Sequence, residues 1–573
     1  SNPTEQVAGY GRRAGHPYVI LSNGGEWRLL WEGERHIYEP HIRFDLDVVM
    51  NLPDAKERLP WVAVFLALFG RQTLTRRPDG RREIDDWRER VEEQGVTIAG
   101  KLDDQVYRAV DHLLEAFQLN PPIPDYDLEH AFNDALILVY RILFVLHAEA
   151  RGLLPMERDS EYRERVSLGH QISTVVLDPT NEPSKEMHTL WGHLADLFHI
   201  IDQGSEKFGV FRYNGGLLSD EKHPNLARLR LNDDVMTRVL TYIGAAKVDE
   251  DGREVWKPVD YRMIPVQQLG RIYEGLLERG PTVNSASRWE TGKDHIERKK
   301  SGSYFTPDEL VQLIVERTLE PLVNERVEEH ADAHEAAAEE VLNLTVLDPA
   351  CGSGHFLIGA VDYLAGRLQE LEIPPPTAGE DGDEEDDLTA WRRLVTERCI
   401  YGVDINPLAV ELTKLSLWLH TLAQNRALTF LDNHIKVGNS LVGCRIEDIF
   451  RLPTWTKTGS RRAPSQWTEE TVLWAHERLL TDVAAEFDEI SRQPTVDADD
   501  VREKEDRYKA ARQRLDRVRE LLDLRLGAWF TPVSKTDYRP ALDSLGDDSG
   551  PLDLSLDARA ALNKSRFLMA FHW

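Results

Sequence analysis

The stretch Leu344-Thr-Val-Leu-Asp-Pro-Ala-Cys-Gly-Ser-Gly-His-Phe-Leu-Ile358 decides the fold class of this chain. Its apolar start predicts a short strand, and the residues after Gly354 carry the apolar spacing of an amphipathic helix. Gly352 and Gly354 occupy the turn between them, where glycine lets backbone approach a ligand closely. A dinucleotide-binding loop needs a third glycine where Leu357 stands, so the pattern disfavours a dehydrogenase.

Two further strands are predicted downstream, and each ends in a polar residue. The run Cys399–Asp404 ends in an acid, and a third strand ends at Gly438-Asn439. Carboxyl ends of parallel strands meet at one edge of a doubly wound sheet, where such folds bind ligands. An acid at the second strand end is typical of ribose binding, and Asp348 suits a cationic or amino-bearing ligand. In the plainer interpretation, Asp404 caps a helix and Asn439 lies in a turn.

Periodicity divides the chain into five parts. Residues 1–60 favour α/β structure, with a hairpin formed by Tyr18–Gly24 and Glu26–Trp31. Residues 61–280 are mainly helical, and residues 281–300 form a linker without periodicity. In residues 301–446 strands alternate with helices, as in a parallel sheet. Residues 447–573 are helical, and their charged helices at 469–491 and 501–526 are typical of a solvated hairpin or an exposed coiled coil.

Composition excludes some classes of protein. The chain has 573 residues, 69 Lys+Arg and 99 Asp+Glu, which gives a net charge of −30. On its face this charge argues against nucleic-acid binding, but local charge matters more for that question, and many of the acids lie in one loop and in the charged helices. Three cysteines without a CxxC pair exclude a disulfide-stapled secreted scaffold and disfavour a cysteine zinc site. Seven acids fall within residues 379–387. We expect a solvated loop there and no metal, because the register of a calcium loop is absent.

Neither a membrane span nor an export signal is predicted. The longest apolar run, Ala135–Leu146, is interrupted by Arg141 and is too short to cross a bilayer as a helix. The first residues, Ser1-Asn2-Pro3-Thr4, contain no Met and no signal region. We therefore expect a cytoplasmic protein. We also expect that the 573 residues are a slice of a longer chain.

The motifs together resemble those of one family. Asp348–Gly354 resembles the S-adenosylmethionine loop of DNA amino-methyltransferases, especially the adenine-N6 kind. Val403–Asn406 resembles their ribose-binding strand end, Gly438–Leu441 their third motif, and Ser301–Pro307 the motif that precedes the loop. The resemblance implies an α/β fold with a Rossmann-like S-adenosylmethionine-dependent methyltransferase sheet, preceded by a largely helical region and followed by a helical insertion.

Weaker matches extend the resemblance over most of the chain. Tyr140–Phe144, Ala148–Gly152 and Leu269–Leu277 resemble segments of the large type IIG, BREX and DISARM methyltransferases. The resemblance thus implies a role in restriction–modification or phage defence. Double-stranded DNA is the implied partner, and other subunits of such a system are further candidates.

The resemblance also implies which residues bind the cofactor S-adenosylmethionine. They are Tyr304, Phe305, Thr306, Pro307, Asp348, Ala350, Cys351, Gly352, Gly354, Asp404, Ile405 and Asn439. By this carry-over, residues 305–307 line the methionine pocket and Asp348 faces the amino group, directly or through the loop amides. Asp404 holds the ribose, Ile405 packs on the adenine, and Asn439 pairs with the adenine edge. Many relatives have Asp where this chain has Asn439, which offers both a donor and an acceptor.

The catalytic motif of the family, Asn/Asp/Ser-Pro-Pro-aromatic, grips the amino group of a flipped base. Asn120-Pro-Pro-Ile123 precedes the cofactor loop and ends in Ile, so it predicts a turn between helices. Phe571-His-Trp573 resembles the segment that comes shortly before the catalytic motif in relatives. We therefore expect the catalytic residues, which stay unknown here, beyond Trp573.

Two weaker signals concern DNA. Gln6-x3-Tyr10 resembles a helix of restriction-type nuclease domains, and a plain helix face is at least as good an interpretation. Basic residues that suit phosphate contacts, or equally a solvated surface, are Arg71, Arg76, Arg77, Arg81, Arg82, Arg298, Lys299, Lys300, Lys457, Arg461 and Arg462. Contact is favoured for residues 298–300, which abut the first cofactor motif.

Three functions follow from the sequence. The first is S-adenosylmethionine-dependent methyl transfer to the exocyclic amino group of adenine in DNA, with transfer to cytosine N4 left open. The second is a non-catalytic, cofactor-binding scaffold subunit completed by another polypeptide. The third, methyl transfer to RNA or protein, is disfavoured by the match at Tyr304–Pro307.

Overall fold

The protein is described here from a computed structural model. The described residues are 7, 10–11, 14, 16–32, 38–156, 160–212, 217–250, 253–264, 270, 272, 275–276, 280–292, 306–376, 387–421, 429–445, 451–455, 461–466, 470–493, 495, 498–531, 533, 538 and 554–567.

An antiparallel sheet lies near the N-terminus, in the order β1 (Tyr18–Ser22), β2 (Glu26–Glu32) and β3 (Tyr38–Asp45). The predicted hairpin is confirmed: Tyr18 pairs with Trp31, and the Asn23 side chain accepts the backbone N–H of Glu26 at 2.7 Å in the turn. Three helices follow, namely α1 (Leu46–Met50), α2 (Ala55–Phe69) and α3 (Arg71–Leu74).

Helix α2 packs on this sheet through aromatic rings. The ring of Phe65 lies 5.1 Å from that of Trp27 and 5.3 Å from that of Phe44. Such ring pairs stabilise beyond the area that they bury. The boundary predicted between residues 60 and 61 therefore falls inside a helix that belongs with the sheet.

The next region is helical, as predicted. Its helices are α4 (Glu83–Leu119), α5 (Leu128–Ala150), α6 (Glu161–Arg165), α7 (Leu168–Gln171), α8 (Thr189–Gln203), α9 (Pro224–Arg228) and α10 (Asp233–Gly244). Helix α5 is long and apolar enough to span a membrane, and 94% of its apolar window is buried inside the protein. It is thus the central core helix of this region, and its burial rather than its length distinguishes it from a membrane span.

Glu149, in one of the weaker sequence matches, joins the end of α5 to the helices that follow. Its carboxylate accepts the hydroxyls of Tyr162 and Ser167 at 2.9 and 3.0 Å. It also accepts the backbone N–H groups of Leu168 and Gly169, both at 2.8 Å, at the start of α7. Burial raises the pKa of this carboxyl, and the four hydrogen bonds oppose the rise. The role of Glu149 in this structure is therefore to hold helices together.

Two β-hairpins interrupt the predicted pattern. One is β4 (Ala245–Glu250) with β5 (Arg253–Pro258), and the other is β6 (Pro281–Val283) with β7 (Trp289–Thr291). The second corrects the linker expected at 281–300 over residues 281–292, because the Asp111 carboxylate on α4 accepts the backbone N–H of Thr291 at 2.7 Å. Contacts with a distant helix, which local periodicity does not encode, thus order this polar segment. Residues 293–300 lie outside the described residues.

The region around the glycine loop is α/β, as predicted. Its elements are α11 (Asp308–Glu329), α12 (His334–Leu342), β8 (Val346–Asp348), α13 (His355–Gln369), α14 (Asp387–Arg398), β9 (Ile400–Asp404), α15 (Pro407–Thr421) and β10 (Ile435–Val437). The three strands form a parallel sheet in the order β10-β9-β8. Helices connect them, which parallel pairing requires.

The last region contains β11 (Arg451–Trp455), β12 (Arg461–Gln466), α16 (Glu470–Arg492), α17 (Ala498–Gly527) and α18 (Leu556–Phe567). The two long charged helices predicted from the sequence correspond to α16 and α17. The hairpin of β11 and β12 lies in a part that was expected to be helical. Helix α17 packs against α18 around a separate apolar cluster that includes Leu521 and Ala561.

Candidate functional site

The three parallel strands bring the predicted polar residues to one edge of the sheet. Asp348 is opposite Gly402 in the register of β8 with β9, and Asp404 is opposite Val437 in that of β9 with β10. Asn439 follows β10 by two residues. Carboxyl ends of adjacent parallel strands form ligand-binding crevices in open α/β sheets. The edge formed by these strand ends is the candidate site.

The glycine loop connects β8 to α13 through backbone that favours glycine. Gly352 has φ +53° and Gly354 has φ +85°, both in the left-handed region. Gly354 is the N-cap of α13, and its N–H donates to the Cys351 carbonyl at 2.7 Å. The loop therefore places the amino end of α13 at the candidate site, and the N–H groups of a helix's first turn favour polar or anionic ligand atoms.

Asp404 ties this loop to the second strand. One carboxylate oxygen accepts the backbone N–H of Gly352 at 3.0 Å, and the other accepts that of Asn406 at 2.8 Å. Asn406 rather than Asp404 caps α15, because its side chain accepts the Leu408 N–H at 3.0 Å. Asp404 thus uses two of its roughly four acceptor positions on backbone, which leaves acceptor capacity for ligand hydroxyls.

Asp348 is the second acid of the site. Its carboxylate accepts the backbone N–H of Ala350 at 3.0 Å, which shapes the first turn of the loop. Burial raises the pKa of Asp348, and the negative charge of Asp404 raises it further. A cationic ligand near Asp348 would favour the ionised form of its carboxyl.

Asn439 and two apolar side chains complete the edge. The Asn439 side-chain oxygen accepts the Leu441 N–H at 3.1 Å, so the NH2 group of the same side chain points away from the Leu441 N–H. Leu441 is 94% exposed and Ile405 is 47% exposed, although both lie beside the strand ends. Exposed apolar side chains next to convergent polar groups are typical of a binding crevice.

The described part of the upstream motif lies close to the loop. Pro307 begins α11, and its carbonyl accepts the N–H of Leu310 at 3.0 Å. Asp308 lies 2.7 Å from the ring of His355, the first residue of α13, which joins the starts of the two helices. Thr306 and Pro307 are therefore held near the glycine loop. Tyr304 and Phe305 lie outside the described residues.

Two residues that the sequence did not single out support the loop. Thr413 on α15 is buried, and its hydroxyl donates to the Gly352 carbonyl at 2.7 Å. Gly402 on β9 leaves room for Cys351, whose Sγ would lie 3.1 Å from a Cβ at that position. Burial raises the pKa of the Cys351 thiol to about 12, so it packs as an uncharged group. Helix α15 also carries the hydroxyls of Ser416 and Thr421, so no signal in the sequence distinguishes Thr413.

The basic residues near the N-terminus are partly paired with acids. Arg77 forms an ion pair with Asp86, and Arg81 forms ion pairs with Asp86 and Glu89. The Arg82 side chain donates to the Leu74 carbonyl at 3.1 Å. Solvated surface is thus the better interpretation for these three. The predictions that concern Gln6, residues 298–300, Lys457, the acidic residues 379–386 and Phe571–Trp573 lie outside the described residues.

The helical hairpin of α16 and α17 packs against the same sheet. His434, just before β10, lies with Nδ1 2.8 Å from the Ile400 carbonyl and Nε2 2.9 Å from the Ser491 hydroxyl of α16. Lys504 of α17 donates to the Thr495 hydroxyl at 2.7 Å and lies 3.9 Å from the Glu397 carboxylate.

Among the described residues, no three His, Cys, Asp or Glu side chains are placed to hold a metal ion.

Two family models match parts of this chain. Residues 267–443 match the family model described as N-6 DNA Methylase, and residues 398–513 match that described as Eco57I restriction-modification methylase. These matches agree with the resemblance identified from the sequence, since the region that contains the candidate site is similar to N-6 DNA methylases.

Two curated proteins are similar over parts of the chain. A putative type II restriction enzyme and methyltransferase of Methanocaldococcus jannaschii, RM.MjaORFECS2P, is 26% identical over 375 residues, or 56% of this chain and 28% of that protein. The adenine-specific methyltransferase PglX of Streptomyces coelicolor is 31% identical over 248 residues, or 40% of this chain and 16% of that protein. The chain therefore spans less than a third of either relative.

A solved structure, a cryoEM structure of a DrdV–DNA complex, aligns with 78% of this chain and 32% of that one. The identity is 14% and the TM-score is 0.23, a value too low to support an argument about fold.

Proposed function

We propose that this chain is part of a DNA methyltransferase that transfers a methyl group from S-adenosylmethionine to the exocyclic amino group of adenine, N6. The observation that carries the proposal is the convergence of Asp348, Asp404 and the glycine loop at one sheet edge. The family matches over residues 267–513 support it. Within the proposal, the three-stranded sheet is part of a Rossmann-like methyltransferase sheet.

The donor set fits this cofactor chemically. S-adenosylmethionine carries a sulfonium and an ammonium group, which favour a site with two carboxylates. Asp404 retains acceptor capacity for a ribose diol, and exposed Ile405 offers an apolar surface for an adenine ring. When bound, the cofactor supplies an electrophilic methyl group. Asp348 would face its amino group, Asn439 would pair with its adenine edge, and Thr306 and Pro307 would line its methionine end.

We propose double-stranded DNA as the substrate and a restriction–modification or phage-defence system as the setting, in the cytoplasm. The names of the two curated relatives support this setting. The alternative, a non-catalytic scaffold subunit, is not favoured, because both relatives are named as methyltransferases. DNA is incubated with labelled cofactor and the whole methyltransferase of which this chain is part, and is then digested to nucleosides. Chromatography of the nucleosides distinguishes N6-methyladenine, the expected product, from N4-methylcytosine.

Calorimetric titration of S-adenosylmethionine into this chain tests the cofactor site. We expect saturable one-site binding by the parent and at least a tenfold loss of affinity in Asp404→Ala, because one charge-assisted contact is worth about 1.5–3 kcal/mol. Asp488→Ala, an exposed acid on α16, is the matched control and should bind like the parent. No binding by the parent, or equal binding by Asp404→Ala, refutes the site.

A further inference from the structure

Gly352 is held from both sides of its backbone. Its N–H donates to the Asp404 carboxylate at 3.0 Å, and its carbonyl accepts the Thr413 hydroxyl at 2.7 Å. Asp404 ends strand β9 and Thr413 lies on α15, the helix that follows β9. The loop after the first strand is therefore fixed by the next strand–helix unit, more than 50 residues away along the chain.

The hydroxyl of Thr413 donates to a carbonyl outside its own helix. Threonine within a helix commonly donates to the carbonyl four residues earlier in the same helix. Thr421 on the same helix does so, donating to Leu417 at 2.8 Å. Thr413 donates instead to the loop carbonyl 61 residues away. A buried hydroxyl used in this way positions the loop rather than its own helix.

The methyl group of Thr413 makes a second contact with the same loop. A Cβ built on Gly354 would lie 2.9 Å from the Thr413 Cγ2 atom, closer than real carbon contacts allow. The Thr413 hydroxyl also lies 3.5 Å from the Cys351 sulfur. One side chain thus contacts the loop at Cys351 and Gly352 and fills the space beside Gly354.

The orientation of one peptide plane follows from this contact. In a trans peptide, the carbonyl of one residue and the N–H of the next point in opposite directions. Because the Gly352 carbonyl is turned toward α15, the N–H of Ser353 is turned away from it. Loss of the Thr413 hydroxyl would free this plane to rotate, since Gly352 has the conformational freedom of glycine.

We propose that Thr413 is a positioning residue for the cofactor loop, acting through the carbonyl of Gly352 and the space beside Gly354. This inference rests on the proposed function, because the loop is taken to bind S-adenosylmethionine. Its direct consequence, an ordered loop at residues 350–354, does not depend on the identity of the ligand.

Two substitutions separate the parts of the contact. Thr413→Val keeps the shape and removes the hydroxyl, and Thr413→Ser keeps the hydroxyl and removes the methyl group. Thr421→Val is the matched control, since it makes the same change on the same helix at a hydroxyl that does not touch the loop. Hydrogen–deuterium exchange of peptides that cover residues 349–356 is measured without ligand, followed by titration with S-adenosylmethionine.

We expect Thr413→Val to speed exchange in the loop about tenfold and to weaken cofactor binding about tenfold, the size expected when one net hydrogen bond is lost. Thr413→Ser should stay within about threefold of the parent in both measurements. Thr421→Val should leave loop exchange unchanged. If Thr413→Val does not fold, Thr413→Ala compared with Thr413→Ser makes the same test.

The outcomes are distinguishable. Loop exchange that is equal in Thr413→Val and the parent, or equally fast in Thr413→Val and Thr421→Val, overturns the proposal. A parent that does not bind S-adenosylmethionine refutes the proposed function, while loop exchange still decides the role of Thr413. Fast loop exchange with unchanged cofactor affinity overturns the claim that the positioned loop serves binding.

Discussion

The carboxylate of Asp404 accepts the backbone N–H of Gly352 at 3.0 Å, so the acid at the second strand end also shapes the loop after the first. The same carboxylate accepts the N–H of Asn406 at 2.8 Å. These two hydrogen bonds show that Asp404 has a structural role in addition to the ribose contact that the resemblance implies. Any test of Asp404 must therefore separate loop order from ligand contact.

Asp404→Asn tests this structural role of the Asp404 carboxylate. An amide has one acceptor oxygen where the carboxylate has two, so one of the two backbone N–H groups loses its partner. We expect a loss of about 1–2 kcal/mol of local stability, which corresponds to roughly tenfold faster exchange of loop amides in the ligand-free protein. Asp488→Asn, at an exposed acid of α16, should leave loop exchange unchanged. Parent-like loop exchange in Asp404→Asn would show that these bonds do not order the loop.

Gly354→Ala probes the space under the loop. The residue has φ +85°, and a Cβ there would lie 2.9 Å from the Thr413 Cγ2 atom. We expect the strained backbone and the overlap together to cost about 2–4 kcal/mol and to weaken cofactor binding at least tenfold. Thermal unfolding and calorimetric titration measure the two effects.

The control for this substitution is Gly80→Ala. Gly80 has the same φ of +85°, and a Cβ built there meets nothing within 4 Å. It should therefore cost only about 1–2 kcal/mol from the backbone conformation. Equal effects of the two substitutions would mean that contact with Thr413 does not constrain the loop.

The sequence predicted the parts of the site that follow from strand order. Asp348, Asp404 and Asn439 each come at the end of a predicted strand, and ends of parallel strands meet at one edge. Their positions in the structure agree with that rule. Their roles toward a cofactor stay predictions, because geometry without a ligand does not test them.

The rest of the site depends on contacts between distant residues. The donation from Thr413 to Gly352 joins residues 61 positions apart, and no local period encodes it. The hairpin at Pro281–Thr291 was missed for the same reason, since α4 orders it through Asp111. Sequence patterns show which face of an element is apolar, and they do not show which distant polar group a side chain will meet.

Glu397 on α14 and Lys504 on α17 provide a test of how these two helices pack together. Both side chains are buried, and their charged atoms are 3.9 Å apart. Removing one partner of a buried pair leaves an uncompensated charge, so Glu397→Gln should weaken the packing of α17 by about 3 kcal/mol. The double variant Glu397→Gln with Lys504→Met should recover most of that loss. Exchange of amides in α17 reports the effect, and additive losses in the double variant would contradict the pairing.

His434 predicts how acid loosens the hairpin from the sheet. Burial, aided by the positive charges of Lys436 and Lys504 and opposed by the hydrogen bond with the Ile400 carbonyl, lowers the pKa of its imidazole from 6.5 to about 4. The folded protein therefore binds fewer protons than the unfolded chain between these two pH values, so stability rises with pH there. The contribution is complete above pH 6.5 and falls by about 1.4 kcal/mol per unit as pH decreases toward 4.

We accordingly expect the contact of α16 with β9 to lose about 2 kcal/mol between pH 7 and pH 5. His434→Asn keeps an N–H donor for the Ile400 carbonyl and removes the titrating ring, so its exchange rates in β9 and α16 should change less with pH than those of the parent. Rates are compared after correction for the intrinsic pH dependence of exchange. A parent and a variant with the same corrected pH dependence would show that another group controls this contact.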